Sequence, residues 1–446
     1  MISSDLSLEQ TVGARLRESN ARWSTLPEYE SLDGTTVLEK MAMIALVYGE
    51  ITGQSDHQEA LEKSIRFVEN AREMFKSDNP DSHFDWVFAV PARTGRSQGN
   101  EYASEITPFL PILDPKYGVD ANIRQRTIVG LPPSIIETYK DDGGAIIYTP
   151  LHEDMAIDLD KIVAMGITSE TITETARFAR RLGAGIMGLG AVIPSITRFG
   201  TTINVEGLET TTGHGGTVFL LAETVKEVLE TTRTTGKVGV IGASGSIGLS
   251  ATDVMLSENY DFNVTKVFDK NEVKLGKKIS ENIAWEGIEI AKSAVEVLED
   301  CDVVVSAING TIDLDTLDPS RQLNLTGKII VDDSQPGCFN RQQVEARGGK
   351  LVWVVGQEKI ENPDDRRITR VGGYRFGETA GLDGDGLWGC EAEVAALALS
   401  KRYDLAVKGP VDSKIAESIG EVMRSYDISS AVPFQSFGNS VSIDEL

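Results

Sequence analysis

A chain of 446 residues, of which 41% are apolar and 25% charged, is long enough for two or three domains with their own cores, so folding needs no metal or disulfide. Its 68 acidic residues outnumber its 43 basic ones and give a formal net charge of -25. This charge argues against nucleic acid and against an anionic membrane surface as partners, because both bind through basic side chains. Three cysteines without regular spacing, and the lack of an apolar run of about 18 residues, predict a reducing, cytoplasmic environment and no integral membrane segment.

The N-terminal half divides into two predicted parts. Residues 1–80 carry apolar positions three and four apart and predict a helical extension, which ends at the polar stretch SDNPDS. Beyond it, DWVFAVPA and AIIYTPL predict strands and SETITETARFARRLG predicts a helix, so residues 81–215 are predicted to form a smaller α/β domain that binds the substrate. Arg177, Arg180 and Arg181 on that helix suit an acidic partner, although a solvated helix face is the simpler interpretation.

The end of this predicted domain combines small, hydroxyl and imidazole side chains. The run AGIMGLGAVIPSITRFG is followed by the loop TTGHGGT at 211–217. Such side chains can line a close-fitting pocket, and glycines leave backbone N–H groups free to face a ligand. The residues concerned are Ser195, Thr197, Thr211, Thr212, His214 and Thr217. The alternative is a connection rich in Gly and Thr with a surface histidine.

The strongest motif of the chain is KVGVIGASGSIGLSATDVML at 237–256. It passes from an apolar burst through Gly242, Gly245 and Gly248 into a segment with helical periodicity. In a strand, turn and helix unit, the first glycine permits the tight turn and the second lets backbone N–H groups approach a pyrophosphate. The third glycine lets the helix pack close to the strand. The motif therefore predicts the binding of a dinucleotide.

Strands and helices continue to alternate after this motif. NVTKVFDK ends at Asp269, about 20 residues after Gly248, where Rossmann domains carry the acidic residue that binds a ribose hydroxyl. Its neighbour Lys270 suits a 2′-phosphate instead, so the sequence leaves NADH and NADPH open. Strands in EVLEDCDVVVSAING, GKIIVDDSQPG and GGKLVWVVGQ complete a parallel, doubly wound sheet over residues 216–385. The residues predicted to contact the cofactor are Gly242, Ser244, Gly245, Ser246, Ile247, Gly248, Asp269, Lys270, Ala307 and Asn309.

A candidate nucleophile follows the dinucleotide-binding domain. Cys390 comes after a glycine-rich loop, at the predicted start of a helix. The dipole at a helix N-terminus stabilises a thiolate and makes such a cysteine nucleophilic. Against this, free cysteines are commonly buried and inert, and Glu391 and Glu393 oppose the anion. Residues 386–446 are predicted to form C-terminal helices that pack back on the substrate-binding domain.

From about Phe84 to about Ile428 the order of motifs resembles that of the cyanobacterial long-chain acyl-(acyl-carrier-protein) reductases, a family that makes fatty aldehydes. The shared stretches are, in order, LPPSIIE, LGAGIMGLGAVIPSI, TTG, GASGSIG, VDDSQPG, CEAE and IAESIGE. None of them is decisive alone, but seven stretches in the same order are hard to obtain by chance.

The resemblance implies a reductase that uses NADPH, or NADH, to convert an acyl thioester into an aldehyde. In this interpretation Cys390 accepts the acyl group as a thioester, while Ser195 and the 211–217 loop line the reacting centre. His214, with a pKa expected near neutrality, would protonate an oxygen. The apolar run at 184–196 would form a tunnel for the acyl chain, and the donor would be acyl carrier protein or coenzyme A.

Two alternatives remain open at this point. The first is an oxidoreductase like the shikimate and hydroxyacid dehydrogenases, which moves hydride without a covalent step. The second is a non-catalytic, dinucleotide-binding regulatory module in which residues 1–80 bind a partner. The sequence also leaves open the length of the acyl chain, the acyl donor and the oligomeric state, a homo-oligomer included.

Overall fold

The computed structural model describes residues 84–92, 133–139, 143–152, 161–233, 236–308, 310–334, 337–358, 368–370, 386–436 and 439–443. Among them, residues 84–209 together with 368–370 form one compact unit. The remaining residues, from 210 to 358 and from 386 to 443, form a second unit. The helical extension predicted for residues 1–80 lies outside the described residues.

The described elements alternate between strands and helices. The first are β1 (Trp86–Ala92), β2 (Ser134–Tyr139), β3 (Gly144–His152), α1 (Lys161–Arg181), β4 (Ile186–Leu189), α2 (Ile193–Ile196) and β5 (Glu209–Thr211). Then follow α3 (His214–Thr232), β6 (Val238–Ile241), α4 (Ser246–Met255), β7 (Val264–Phe268), α5 (Glu272–Glu281), β8 (Glu289–Ile290), α6 (Ala294–Asp300), β9 (Val303–Ser306), α7 (Leu314–Leu317), β10 (Ile329–Asp332), α8 (Arg341–Glu345) and β11 (Lys350–Trp353). The last are β12 (Gly356–Glu358), β13 (Ile368–Arg370), β14 (Gly386–Leu387), α9 (Gly389–Ser400), α10 (Ser413–Ser425), β15 (Ile428–Ser430), β16 (Phe434–Ser436) and β17 (Asn439–Val441). None of the helices in the described part of the chain combines the length and the hydropathy that a membrane-spanning segment requires.

The first unit is built on a mixed sheet with the strand order β13-β2-β3-β1-β4, from which the chain leaves through β5. β1 pairs in parallel with β3 and β4, whereas β2 is antiparallel to β3 and β13. The strands and the helix predicted here from DWVFAVPA, AIIYTPL and SETITETARFARRLG are confirmed as β1, β3 and α1. Apolar residues of α1, among them Ile172 and Ala176, form one core with the sheet.

The predicted acyl tunnel along residues 184–196 needs a correction. Met187, Leu189 and Ile193 are at most 1% exposed and belong to the same hydrophobic core as β1 and α1. Their apolar surface is therefore used in holding the first unit together, and these side chains do not line an open channel.

The second unit contains the predicted dinucleotide-binding sheet. Its six parallel strands lie in the order β8-β7-β6-β9-β10-β11, which is the Rossmann order 3-2-1-4-5-6. Val303, Val304 and Val305 of β9 are almost fully buried, as expected for a central strand with both faces covered. The α/β fold with a doubly wound, Rossmann-type sheet is confirmed. The antiparallel strands β16 and β17, in the region predicted to form C-terminal helices, extend this sheet beside β11.

The C-terminal helices and the domain boundary differ from the sequence-based expectation. α9 and α10 pack on α3, and α10 also packs on α4, all within the second unit, whereas the prediction packed them on the substrate-binding domain. Eight of the twelve residues of α9 are buried; six of them are small or apolar, and the other two are Glu391 and Glu393. The boundary also falls at 209/210 and not at 215/216, because Thr211 and Gly213 make their contacts with α9.

Candidate active site

The turn between β6 and α4 forms the strand, turn and helix unit that the sequence predicts. Gly242 has a φ of +89°, which favours glycine, and its N–H donates to the Phe268 carbonyl at the end of β7 at 2.8 Å. A Cβ on Gly242 would lie 2.4 Å from the carbonyl oxygen of Ala307, and a Cβ on Gly248 would lie 2.2 Å from the carbonyl oxygen of Gly242. Backbone atoms therefore occupy the space that side chains at Gly242 and Gly248 would need, and α4 begins directly after the turn.

The start of α4 fits the pyrophosphate of a dinucleotide. The N–H of Gly245 is used inside the turn, where it donates to the Gly242 carbonyl at 3.0 Å. The N–H groups of Ser246 and Ile247 belong to the first turn of α4, where helix geometry provides no intrahelical acceptor. Such a helix N-terminus next to a glycine turn binds phosphate groups through its N–H donors and its dipole.

Asp269 directly contacts the glycine turn. Its carboxylate accepts the N–H of Ser244 at 3.1 Å and the N–H of Asn271 at 3.0 Å. Lys274 Nζ donates to the carbonyl oxygen of Ser244, and Lys270 is exposed. An acidic group and a cation therefore lie together where Rossmann domains bind the ribose of the cofactor. Lys274 is not among the residues predicted from the sequence to contact the cofactor, although its place on the first turn of α5, shortly after Asp269, indicates such a role.

Two further predicted cofactor contacts belong to the loop after β9. The N–H of Ala307 donates to the Ile241 carbonyl at 3.0 Å. The carbonyl oxygen of Ala307 lies next to Gly242, where a Cβ would otherwise be. Asn309 lies outside the described residues.

The N-terminus of α9 lies against the N-terminus of α3. Cys390, the second residue of α9, is partly exposed. A Cβ on Gly213, which precedes α3, would lie 2.2 Å from the Cβ of Cys390, and a Cβ on Gly216 would lie 2.3 Å from the carbonyl oxygen of Gly389. Gly213 also has a φ of +72°. Glycine at these positions lets the two helices begin in contact, with Cys390 at the point of contact.

Beneath this contact, Glu393 of α9 fills the first turn of α3. Its side chain is fully buried, and its Oε2 accepts the N–H of Gly216 at 2.7 Å. The N–H groups of Gly213 and Gly215 also donate to the carboxyl group, and Thr211 Oγ1 donates to its Oε1. Burial raises the pKa of Glu393 to about 7, although these hydrogen bonds act in the opposite direction.

The prediction that glycine N–H groups of the 211–217 loop face a ligand is therefore wrong. Those of Gly213, Gly215 and Gly216 donate to Glu393, because a buried carboxyl group needs such partners. Thr211 and Thr212 are buried as well, and both contact the backbone of Val407.

His214 opens α3 and reaches the start of α4. Its Nδ1 lies 3.5 Å from the Oγ of Ser246, and this Oγ accepts the N–H of Val411 at 3.0 Å. A Ser246 hydroxyl that donates to Nδ1 places the imidazole proton on Nε2, an assignment inferred from these contacts. Burial lowers the pKa of His214 to about 4, so the ring is neutral at pH 7. The expectation of a near-neutral pKa is wrong because the folded chain buries the ring.

Two of the predicted site residues, Ser195 and Thr197, belong to the first unit and differ in exposure. Ser195 is exposed on α2, and its catalytic role stays a prediction. Thr197 is buried; its hydroxyl donates to the Ile193 carbonyl at 2.7 Å and accepts the N–H of Gly200 at 3.0 Å. It stabilises the end of α2 and does not line a pocket.

The remaining cysteines are buried in the second unit. Cys301 lies in the hydrophobic core, and Cys338 Sγ lies 2.7 Å from the Oγ of Ser306, beside the buried Asp332. Burial raises the pKa of both thiols. Cys390 is thus the partly exposed cysteine of the three.

The strand order, the glycine turn and Asp269 define a class of protein: this chain carries an NAD(P)-binding domain of the Rossmann type. The residues fit either nicotinamide dinucleotide, so the predicted use of NADH or NADPH is confirmed at that level. Within this class, residues 237–337 match the family described as "Semialdehyde dehydrogenase, NAD binding domain". The match supports an NAD(P)-dependent oxidoreductase.

Other comparisons add little to this assignment. No curated protein matches the sequence significantly. Among solved structures, L-tryptophan dehydrogenase from Nostoc punctiforme is 13% identical over 80% of this chain and 90% of its own, with a TM-score of 0.32. Glutamate dehydrogenase from Plasmodium falciparum is 10% identical over 89% of each chain, with a TM-score of 0.34. An imine reductase from Pseudomonas sp. is 20% identical over 26% of this chain, with a TM-score of 0.21, and the match spans only 40% of its length. Such low TM-scores carry no argument about function.

Proposed function

We propose that this protein reduces an acyl thioester to an aldehyde with NADH or NADPH, by way of an acyl group bound to Cys390. The observation that carries the proposal is the position of Cys390 on the first turn of α9, against the start of α3. The first residue of α3, His214, contacts Ser246 at the start of α4, next to the dinucleotide turn. A partly exposed thiol, an imidazole and a cofactor turn are thereby connected within one unit.

The family match also supports a hydride transfer that interconverts an acyl group and an aldehyde. A semialdehyde dehydrogenase is, by its name, an enzyme that oxidises an aldehyde. Oxidation of an aldehyde to the acyl level and reduction of an acyl group to an aldehyde are one hydride transfer in opposite directions. The match therefore favours a reaction at the aldehyde carbon over one at an alcohol carbon.

In the proposed first step, the Cys390 thiolate attacks the carbonyl carbon of the thioester. The bond from this carbon to the sulfur of the donor breaks, and the donor leaves as a thiolate, which takes a proton from water. The N-terminus of α9 favours this step, because its dipole stabilises both the thiolate and the negative charge that develops on the carbonyl oxygen.

In the second step, the acyl carbon receives a hydride, its bond to the Cys390 sulfur breaks, and the aldehyde leaves with Cys390 restored as a thiolate. Bound NADH or NADPH supplies that hydride. His214 assists both steps as a neutral donor: its Nε2–H makes a hydrogen bond to the carbonyl oxygen. A complete proton transfer from an imidazolium is disfavoured, because the pKa of about 4 leaves the ring neutral.

The acyl donor belongs to this proposal as well. The resemblance to the long-chain acyl-(acyl-carrier-protein) reductases favours a fatty acyl group on acyl carrier protein or coenzyme A. Arg177, Arg180 and Arg181 are exposed on α1, as a docking surface for an acidic carrier requires, although Arg177 is paired with Glu174.

Replacing Ser246 with alanine is expected to lower kcat about tenfold and to change the Kd for NADH less than twofold. The Ser246 hydroxyl contacts His214 and Val411, so its loss removes the group that fixes the proton of the imidazole on Nε2, while the N–H of residue 246 stays at the turn. Steady-state kinetics and fluorescence titration check both values.

Ser250→Ala is the matched control for this variant. Ser250 lies one turn further along α4, and its hydroxyl donates to the carbonyl of Val411 at 2.6 Å and not to His214. Equal losses of kcat in the two variants would contradict the role given to Ser246.

Replacing Asp269 with serine is expected to shift the ratio of kcat/KM for NADPH over NADH upward by about tenfold or more. The carboxylate repels a 2′-phosphate, whereas Lys270 and Lys274 attract it, and a tenfold shift corresponds to about 1.4 kcal/mol. Steady-state kinetics with both cofactors measure the ratio. An unchanged ratio would show that Asp269 serves only to hold the N–H groups of Ser244 and Asn271.

The proposed function is tested with the purified protein, NADH or NADPH, and acyl thioesters of several chain lengths on coenzyme A and on acyl carrier protein. We expect oxidation of the cofactor together with an aldehyde identified by mass spectrometry. Turnover of hydroxy or oxo acids, without an acyl adduct in the intact mass of the protein, would instead indicate a hydroxyacid-dehydrogenase-like enzyme. Cofactor binding without turnover of any of these compounds would indicate a regulatory module.

A further inference from the structure

Glu393 is a buried acid that the proposed mechanism does not use. It lies on α9, three residues after Cys390, and the spacing puts both side chains on the face of α9 that meets α3. A Cβ on Gly216 would lie 2.8 Å from the Cβ of Glu393, so the glycines of α3 make room for this side chain. Burying a carboxyl group between two closely packed helices costs free energy, so the hydrogen bonds of Glu393 must offset that cost.

Those contacts come from the positive end of α3. The N–H groups of Gly213, Gly215 and Gly216 all donate to the carboxyl group, as an anion bound at a helix N-terminus would receive them. The chain thereby supplies its own anion at the start of α3. An ionised Glu393 cancels the positive end of the α3 dipole, next to the cysteine that has to carry a negative charge.

Few other charged groups lie near the start of α3 that could cancel its dipole in place of Glu393. α3 contributes His214, which is neutral at pH 7, and β5 contributes the hydroxyl of Thr211. α10 packs Ile419 and Met423 against the same glycines of α3. On α9 itself, the other titratable groups of the first turn are Cys390 and Glu391, and the nearby 407 segment adds the exposed Lys408.

We propose that Glu393 is a positioning residue that holds the start of α9 on the start of α3 and, through its charge, sets the nucleophilicity of Cys390. When Glu393 is protonated, its O–H can donate to Thr211 Oγ1, the α3 dipole is uncompensated, and a thiolate at Cys390 is favoured. When Glu393 is ionised, the thiolate is disfavoured by a second negative charge one helical turn away. The inference rests on the proposed function in taking Cys390 as the nucleophile.

The test uses Glu393→Gln, which mimics the protonated acid. The amide oxygen can accept the N–H groups of α3, and the amide nitrogen can donate to Thr211 Oγ1. Alkylation of Cys390 by iodoacetamide is followed by mass spectrometry between pH 5.5 and 9, and the buried Cys301 and Cys338 serve as internal references. We expect Cys390 of the variant to react about tenfold faster than in the wild type at pH 7, with its profile shifted to lower pH.

Several outcomes separate this inference from simpler explanations. An unchanged alkylation profile in a folded variant, shown by its NADH affinity and its Tm, would overturn the role of the charge and leave a structural role only. If the variant does not fold, the wild-type profile decides: titration of Glu393 predicts two steps, and a single step would overturn the inference. Because alkylation needs neither thioester nor cofactor, its result stands even if no aldehyde is formed, and aldehyde formation by the wild type tests the proposed function separately.

Discussion

Replacing Cys390 with alanine is expected to abolish aldehyde formation, with a loss of at least about 10³-fold in kcat, while the Kd for NADH changes less than twofold. The variant lacks the sulfur that would accept the acyl group, whereas the glycine turn and Asp269 lie in loops that follow β6 and β7. Alanine at position 390 keeps the Cβ that packs on Gly213, so the contact between α9 and α3 is preserved.

Two measurements make this prediction specific. Wild-type protein incubated with an acyl thioester in the absence of cofactor should gain the mass of one acyl group, located on Cys390 by peptide mapping, and Cys390→Ala should gain none. Cys301→Ala is the control. Cys301 is buried in the core beside β9, so this variant should remain almost fully active. Aldehyde formation by the Cys390→Ala variant would contradict the covalent mechanism.

The dinucleotide-binding turn could be predicted because its signal is local. An apolar strand, three glycines and a helix occupy one continuous stretch, and the chemistry of phosphate binding depends on that stretch alone. The start of α9 at Gly389, directly before Cys390, was predictable for the same reason, from a glycine-rich loop followed by an apolar helix.

The contacts around Cys390 could not be predicted, because they join distant parts of the chain. Thr211 and Glu393 are separated by 182 residues, and Ser246 and Val411 by 165 residues, so no local periodicity relates them. The pKa of His214 depends on how deeply the folded chain buries the ring, which a single sequence does not show. One signal was available: glycines at 213, 215 and 216 at a helix start indicate that another backbone approaches closely.

The contact between α3 and α9 is expected to matter for catalysis as much as the thiol itself, and Gly213→Ala tests it. The new methyl group would lie 2.2 Å from the Cβ and 2.4 Å from the Cα of Cys390, far inside van der Waals contact. The backbone at this position has a φ of +72°, which an L-alanine adopts only with strain. Either the two helix starts move apart or the residue changes conformation.

We therefore expect Gly213→Ala to lower the free energy of unfolding by about 2–3 kcal/mol, from overpacking and backbone strain together. Its kcat/KM should fall about 10²-fold, because a shift of about 1 Å in a reacting group has an effect of this size. Chemical denaturation and steady-state kinetics measure the two quantities, and NADH affinity should change little, since the glycine turn lies between β6 and α4.

Gly276→Ala is the matched control. Gly276 lies within α5, and a Cβ there would meet no atom within 4 Å, so the substitution should leave kcat/KM unchanged and raise the free energy of unfolding by up to about 1 kcal/mol through helix propensity. If Gly213→Ala lowered stability but kept full activity, Cys390 would tolerate displacement from α3. In that case neither the α3 dipole nor Glu393 could be acting on its sulfur, and the α9 N-terminus alone would have to support the thiolate.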